Sequence, residues 1–545
     1  MAKIYSYDYD KDLLLNLYRE KLQKNDLIGA LLVTNTLKNH TDYGALDLLC
    51  KRADIYYRMN HFARSCEEWF EYLSLATTVK QSAKAYNGLG ACFYKLQENG
   101  VAGYYFNKQI LADKKAFFAY SGVTAEFFEE MLSPKRNYYL AYPYDKADFT
   151  KNIYRAEEKL KMGEYKGTLN ELAIIPETSK QYPLALITSS IAKFFLNDID
   201  GAITDIETSI SIEKSTIAIC NAISIFTSIN NDEKANYYLA MLDVNNATGT
   251  ELYKILLVHT ERGNDKLALS LGEKYLRQNP FDYSVLFLLG LISYNLKDYK
   301  KSYEYFKKCY QINGTFVEKH YLKIAENPPK KHRRLEYTFD LPNSKKREII
   351  KSITLLLSAT NEERLKKAKE IYEICDYAFS VNAYQIQSSI VTILGETELE
   401  KSVEIMKKAL ISLNVYDKIK SGIIGFLTAN GFDGTLDLVY ANVFKKVTIY
   451  KADFDDNKLF LEAYSYLVCK IAPLEKDLKP LKISAEEVYK KLLNNNNANK
   501  VNSVKALSAL IYELSNMKDI KSRRDFLKFF DTNGKQVNEI KRLLT

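Results

Sequence analysis

A small residue returns along this chain at a nearly constant interval. The series runs Ala30, Ser65, Ala102, Thr168, Ala202, Ala235, Ala268, Ser302, Ala368, Ser402 and Thr435. Its intervals are 35, 37, 66, 34, 33, 33, 34, 66, 34 and 33, so each long gap spans two periods. A period near 34 is the length of one helix–turn–helix unit. Such a unit cannot bury its apolar face alone, so repetition at this spacing requires neighbours stacked into a continuous core.

The residues around each small position fit paired antiparallel helices. Residues 283–316 carry Leu286, Leu289, Gly290 and Tyr294 on a first helix, then Ser302, Phe306 and Cys309 on a second. Residues 83–116 give Tyr86, Leu89, Gly90 and Phe93, then Ala102, Phe106 and Gln109. Residues 46–79 give Leu49, Ala53 and Tyr56, then Ser65, Trp69 and Tyr72. Gly290, Gly90 and Ala53 are small where two helices cross, and large side chains fill the space between. This pattern resembles the tetratricopeptide repeat family over most of residues 11–448. The resemblance implies an all-α fold, a right-handed α-solenoid of helical hairpins with a concave groove lined by the first helices. It also implies protein or peptide binding rather than catalysis. The expected organisation is N-terminal repeats at 1–132, an insert at 133–148 and central repeats at 149–316. A helix with a basic insert follows at 317–348, then degenerate repeats at 349–448 and a helical cap at 449–545.

Each 66-residue gap has room for a repeat whose second helix is missing. Ala116–Met131 and Thr315–Glu326 supply first helices, but Pro134, Pro143, Pro328, Pro329 and Pro342 forbid regular helix in the stretches that follow. Both stretches open with proline and basic residues and reach an aromatic-x-aromatic-Asp pattern, at Tyr142–Asp145 and Tyr337–Asp340. Alternating aromatics favour an extended segment with one adhesive face. Two readings stand: arms that fold back onto the solenoid, or arms that present Lys330, Lys331, Arg333, Arg334, Tyr337 and Phe339 to a partner. Between Asn327 and Lys351, eight basic and three acidic residues leave a net charge of +5. Basic residues interleaved with aromatics also suit phosphates and bases.

In the family, first-helix positions 2, 5, 9, 12 and 13 face the groove. They correspond here to Asp47, Cys50, Asp54, Tyr57 and Arg58, then to Lys84, Asn87, Ala91, Tyr94 and Lys95. The middle units place Ile187, Ile191, Phe194, Tyr253, Leu257, Phe287, Leu291 and Tyr294 there, an apolar stripe suited to a hydrophobic partner segment. The alternative is that the array buries that stripe against itself. Cys50 and Asp54 stand where co-chaperone members carry their carboxylate clamp, so that clamp is absent.

Composition adds exclusions. The 68 acidic residues intermixed with 77 basic ones describe a solvated helical surface rather than a general nucleic-acid binder. No stretch approaches 18 consecutive apolar residues, and no CxxC, HExxH, GxxxxGK or GxSxG motif occurs. No cofactor, metal or membrane insertion is expected, and a cytoplasmic location with reduced cysteines is. Asp453–Asn457 reads as a cap for a helix from 458 rather than a cation loop. The C-terminal helices carry a further basic face at Lys518, Lys521, Arg523, Arg524 and Lys528. The expected function is a non-enzymatic adaptor that binds a protein or peptide in the apolar mid-groove, clamped by the inserts. The rival is a nucleic-acid accessory factor acting through the basic stretch at 330–351.

Overall fold

A computed structural model describes residues 11–38, 44–112, 149–161, 163–381, 383–397, 399–455, 457–515 and 523–544. The expected helix at 116–131, the first insert at 133–148 and most of the C-terminal basic face lie outside the described residues. The chain forms two compact units. One comprises 1–132, 314–319 and 340–545; the other comprises 133–313 and 320–339.

Helical hairpins dominate both units. The first unit opens with three: Lys11–Gln23 with Leu27–Leu37, Ala45–Arg58 with Phe62–Leu75, and Val79–Lys95 with Asn99–Ala112. Among the described residues the second contains five, from Thr150–Lys161 with Tyr165–Leu172 to Tyr283–Asn295 with Tyr299–Asn313. In all eight, the small residue of the series is fully buried. Ser65 Oγ donates to the Ala53 carbonyl and Ser302 Oγ to the Gly290 carbonyl, both at 2.8 Å, so these residues mark the crossing points. Gly290 has no room for a side chain, because an added Cβ would lie 2.7 Å from the Phe306 ring.

The turns share a rule of their own. Five residues before each of those eight small residues stands a left-handed residue: Asn25, Asn60, Gln97, Gly163, Asn197, Asn230, Gly263 or Lys297, with φ between +54° and +76°. The next residue's N–H closes a bond to a carbonyl five positions back, as in Asn231 to Phe226 and Asn264 to His259, each at 2.8 Å. That geometry satisfies the orphan carbonyls of the first helix and reverses the chain in few residues. Side chains then cap the next helix, with Asp26, Asp198 and Asn231 accepting the N3 amide.

After Ser302 the register breaks. Ala368 is only half-buried, and Thr435 is exposed on a strand. The second helix expected at 416–448 is replaced by an antiparallel β-hairpin, β1 (Gly434–Tyr440) and β2 (Val443–Ile449). Its turn is Ala441-Asn442, both with positive φ, as the twist of a two-residue hairpin demands. The hairpin serves as a packing plate. Val439 joins the core of Trp69, Phe70, Phe93 and Tyr105, and the Phe444 ring stacks on Phe70 at 6.2 Å. Tyr105 OH donates to the Asn442 carbonyl at 2.8 Å and accepts the Phe444 N–H at 2.9 Å. Lys420, 2% exposed, holds β1 from beneath by donating to the Val439 carbonyl at 2.7 Å.

Among the described residues, five further α-helices and one short 3-10 helix follow the hairpin, from Lys458–Ile471 to Gly534–Leu543. Asn457 caps the first, its side chain accepting the Phe460 amide, as the sequence implied.

Candidate binding surfaces

The first unit holds a cavity of about 930 Å³ on the inner face of its N-terminal hairpins. Cys50, Asp54 and Tyr57 line it from Ala45–Arg58, and Lys84, Asn87 and Ala91 from Val79–Lys95. These are groove positions of the family register. Tyr18, Trp69, Tyr72 and Gln109 complete the wall. Gly88 lets the ring wall close, since an added Cβ would stand 2.2 Å from Trp69 Cε2.

The cavity combines flat apolar rings with directed polar groups. Asn87 Nδ2 donates to Gln109 Oε1 at 3.0 Å, fixing both amides. Gln109 is 1% exposed, so this amide contact is buried in the wall. Asp54 is paired with Arg58 at 2.9 Å and Lys51 with Asp47 at 3.4 Å, whereas Lys80 and Lys84 have no carboxylate partner among the described residues. Burial, and after it the Asp54 carboxylate, push the Tyr18 phenol up to about 12. Burial opposes the Lys84 charge, but the Cys50 sulfur, Tyr72 and Asp47 outweigh it and raise that pKa. The wall therefore stays neutral at its tyrosine and positive at Lys84 near pH 7.

The repeated hairpins, with crossings twelve residues apart, are similar in geometry to tetratricopeptide repeats. No family model matches the sequence, and no curated protein matches it. Among solved structures, a tetratricopeptide repeat protein from Parabacteroides merdae is 12% identical, covering 58% of this chain and 98% of its own, with a TM-score of 0.22. The APC/C hetero-tetramer Cut9–Hcn1 is 14% identical over 73% of this chain and 96% of its own, with a TM-score of 0.23. Neither overlap is close enough to bear on function.

The apolar stripe expected in the central tetratricopeptide-type hairpins lies in the second unit and is divided. Ile191, Phe194, Tyr253 and Leu257 are half-buried, while Ile187 is buried in the core. Phe287, Leu291 and Tyr294 are at most 1% exposed and offer no open surface. Phe287 packs against Tyr321 and Phe339, with ring centroids 5.1 and 6.1 Å away, and Tyr294 lies under the His332 ring at 5.6 Å. The second insert thus folds back along the first helix Tyr283–Asn295.

What fastens the insert is largely polar. Asn295 Nδ2 donates to the Leu335 carbonyl at 3.0 Å, and the Leu335 N–H donates to Asn295 Oδ1 at 2.7 Å. Tyr337 OH donates to Asp265 Oδ1 at 2.5 Å, and Arg334 pairs with Asp265 Oδ2 at 2.8 Å. Lys330, Lys331, Arg333 and Phe339 are exposed. Of the eight basic residues at 327–351, Arg334, Lys345 and Lys346 are ion-paired to the chain's own acids, which lowers the free charge available to a phosphate backbone. Asn295 and Asp265 were not singled out from the sequence. Asn295 sits at groove position 13 of its unit, a signal that could have found it.

Among the described residues, no group of three His, Cys, Asp or Glu is placed to hold a metal, and no helix is long and apolar enough to cross a membrane. All seven cysteines are free thiols.

Proposed function

We propose that this chain is a non-enzymatic scaffold that binds an extended segment of a partner protein on the concave face of its tetratricopeptide-type hairpins. The receiving surface is the N-terminal cavity. One observation carries the reading: about 930 Å³ of open space bounded by Tyr18, Tyr57, Trp69 and Tyr72, with a fixed amide pair and two lysines, Lys80 and Lys84, that have no carboxylate partner among the described residues. That volume falls in the range of formed ligand sites. Rings supply apolar area at low entropic cost, amides pair with a peptide backbone, and the lysines favour an acidic segment.

The test is affinity capture with the full-length protein, with and without nuclease, beside an Asn87→Ala/Lys84→Ala variant. The proposal requires a defined protein that survives nuclease and is lost from the variant. Equal recovery on both baits, or RNA whose removal strips the captured proteins, would overturn it. The second outcome would move the function to the exposed cations at 330–333.

A further inference from the structure

We infer that the groove along Tyr283–Asn295 is a second recognition site, specific for an extended segment of the pattern His-x-Arg-Leu-x-Tyr, and that residues 332–337 are its resident, intramolecular occupant. Four observations lead there. First, the groove reads backbone: Asn295, 6% exposed, spends both ends of its amide on the N–H and C=O of one residue, Leu335. A two-bond contact of this kind recognises an extended chain whatever that chain's origin.

Second, the flanking contacts select side chains. Asp265 is 5% exposed and takes both the Tyr337 hydroxyl and the Arg334 guanidinium. The His332 ring lies against Tyr294, and its Nδ1 is 3.0 Å from the Tyr299 hydroxyl. Without an occupant, a carboxylate and an amide would face the groove unpaired, a costly state for buried polar groups. The groove is built to hold something with these features.

Third, the segment is not a regular element. It lies between Pro329 and Pro342 with no helix or strand, and Arg333 and Arg334 reach solvent. Pro329 and Pro342 bar helix at the two ends of the stretch, so no regular element has to be broken for it to undock. Fourth, its hold rests on discrete polar contacts to Asn295 and Asp265, each of which an equivalent peptide could make in its place. A tethered occupant acts at an effective concentration on the order of millimolar. A free segment of the same pattern therefore competes weakly until the tether's anchors are lost, and the insert sets the threshold for binding.

The experiment uses the full-length protein and a fluorescein-labelled peptide of residues 329–340, read by anisotropy. Arg334→Ala/Tyr337→Ala in the protein removes the resident anchors while leaving Asn295 and Asp265 in place. The expected result is more than tenfold tighter peptide binding than by the unaltered protein, reversed when Asn295→Ala or Asp265→Asn is added. A double variant with an unchanged melting curve that binds no better would overturn the inference. Tight binding that persists with Asp265→Asn would overturn it too, since it would be charge pairing without recognition. Should the double variant lose its cooperative melt, Tyr337→Phe, which removes only one hydroxyl, provides the same comparison; no gain in peptide binding there overturns the inference. Asn87→Ala/Lys84→Ala leaves this binding unchanged, so the two sites stand or fall separately.

Discussion

Lys420 offers a quantitative test of how the β-hairpin is held. Its side chain is 2% exposed, its ammonium donates to the Val439 carbonyl, and the nearest carboxylate, Asp417, is 3.9 Å away. Burial lowers its pKa from 10.5 to about 8, only partly offset by Asp417. Between those values the unfolded chain holds a proton that the folded chain has lost, so stability rises with pH through this window. At 1.36 kcal/mol per pH unit, the full gap corresponds to roughly 3 kcal/mol, of which about 2 kcal/mol appears between pH 7 and pH 9.5. Lys420→Met removes this dependence. Other groups, including Lys445, which is also lowered to about 8 by burial, titrate in both proteins and cancel in the difference. Trp69 is the single tryptophan and packs in the core that receives Val439, so its fluorescence reports this unit's unfolding. Urea titrations of both proteins at pH 7 and 9.5 should show the variant losing about 2 kcal/mol relative to the parent on going to alkaline pH. A difference that does not change with pH would refute the assignment of a buried charge at Lys420.

Three further substitutions probe the packing. Tyr105→Phe strands the Asn442 carbonyl and the Phe444 amide and should cost about 1–3 kcal/mol in the same urea assay. Gly88→Val drives a methyl-bearing carbon into Trp69, so a loss of about 1–3 kcal/mol with altered Trp69 emission is expected. Phe287→Ala should cost about 3–5 kcal/mol by leaving a cavity under Tyr321, visible as a lowered Tm.

The hairpin array was legible because its constraint is steric and local. Where two helices touch, only a small residue fits, and Ala30 to Ser302 record that contact directly. The left-handed turn position was harder to see. Asparagine, glycine, glutamine and lysine all fill it, so backbone geometry repeats there without a repeating residue. The β-hairpin was missed because Thr435 continued the spacing at a position that is exposed on a strand and makes no helix crossing. Alternation at Leu436, Leu438, Val447 and Ile449 was the competing signal. The groove rule located Cys50, Asp54, Lys84 and Asn87 at the cavity wall. It could not say that Phe287 and Tyr294 lie covered, because that depends on Asn295 meeting Leu335 forty residues later.

The bond between Tyr105 and Phe444 joins residues 339 positions apart. A repeat array whose units touch only their neighbours can consolidate as it leaves the ribosome. These first hairpins do so only in part, since Phe70 and Tyr105 pack on Phe93 within the array but gain Val439 and Phe444 only once the β-hairpin has been made. At about 5–20 residues per second, that interval is roughly 20–70 s of synthesis. Through that interval the Phe70–Tyr105 core lacks part of its apolar cover, an exposure that the stability of the finished molecule does not record.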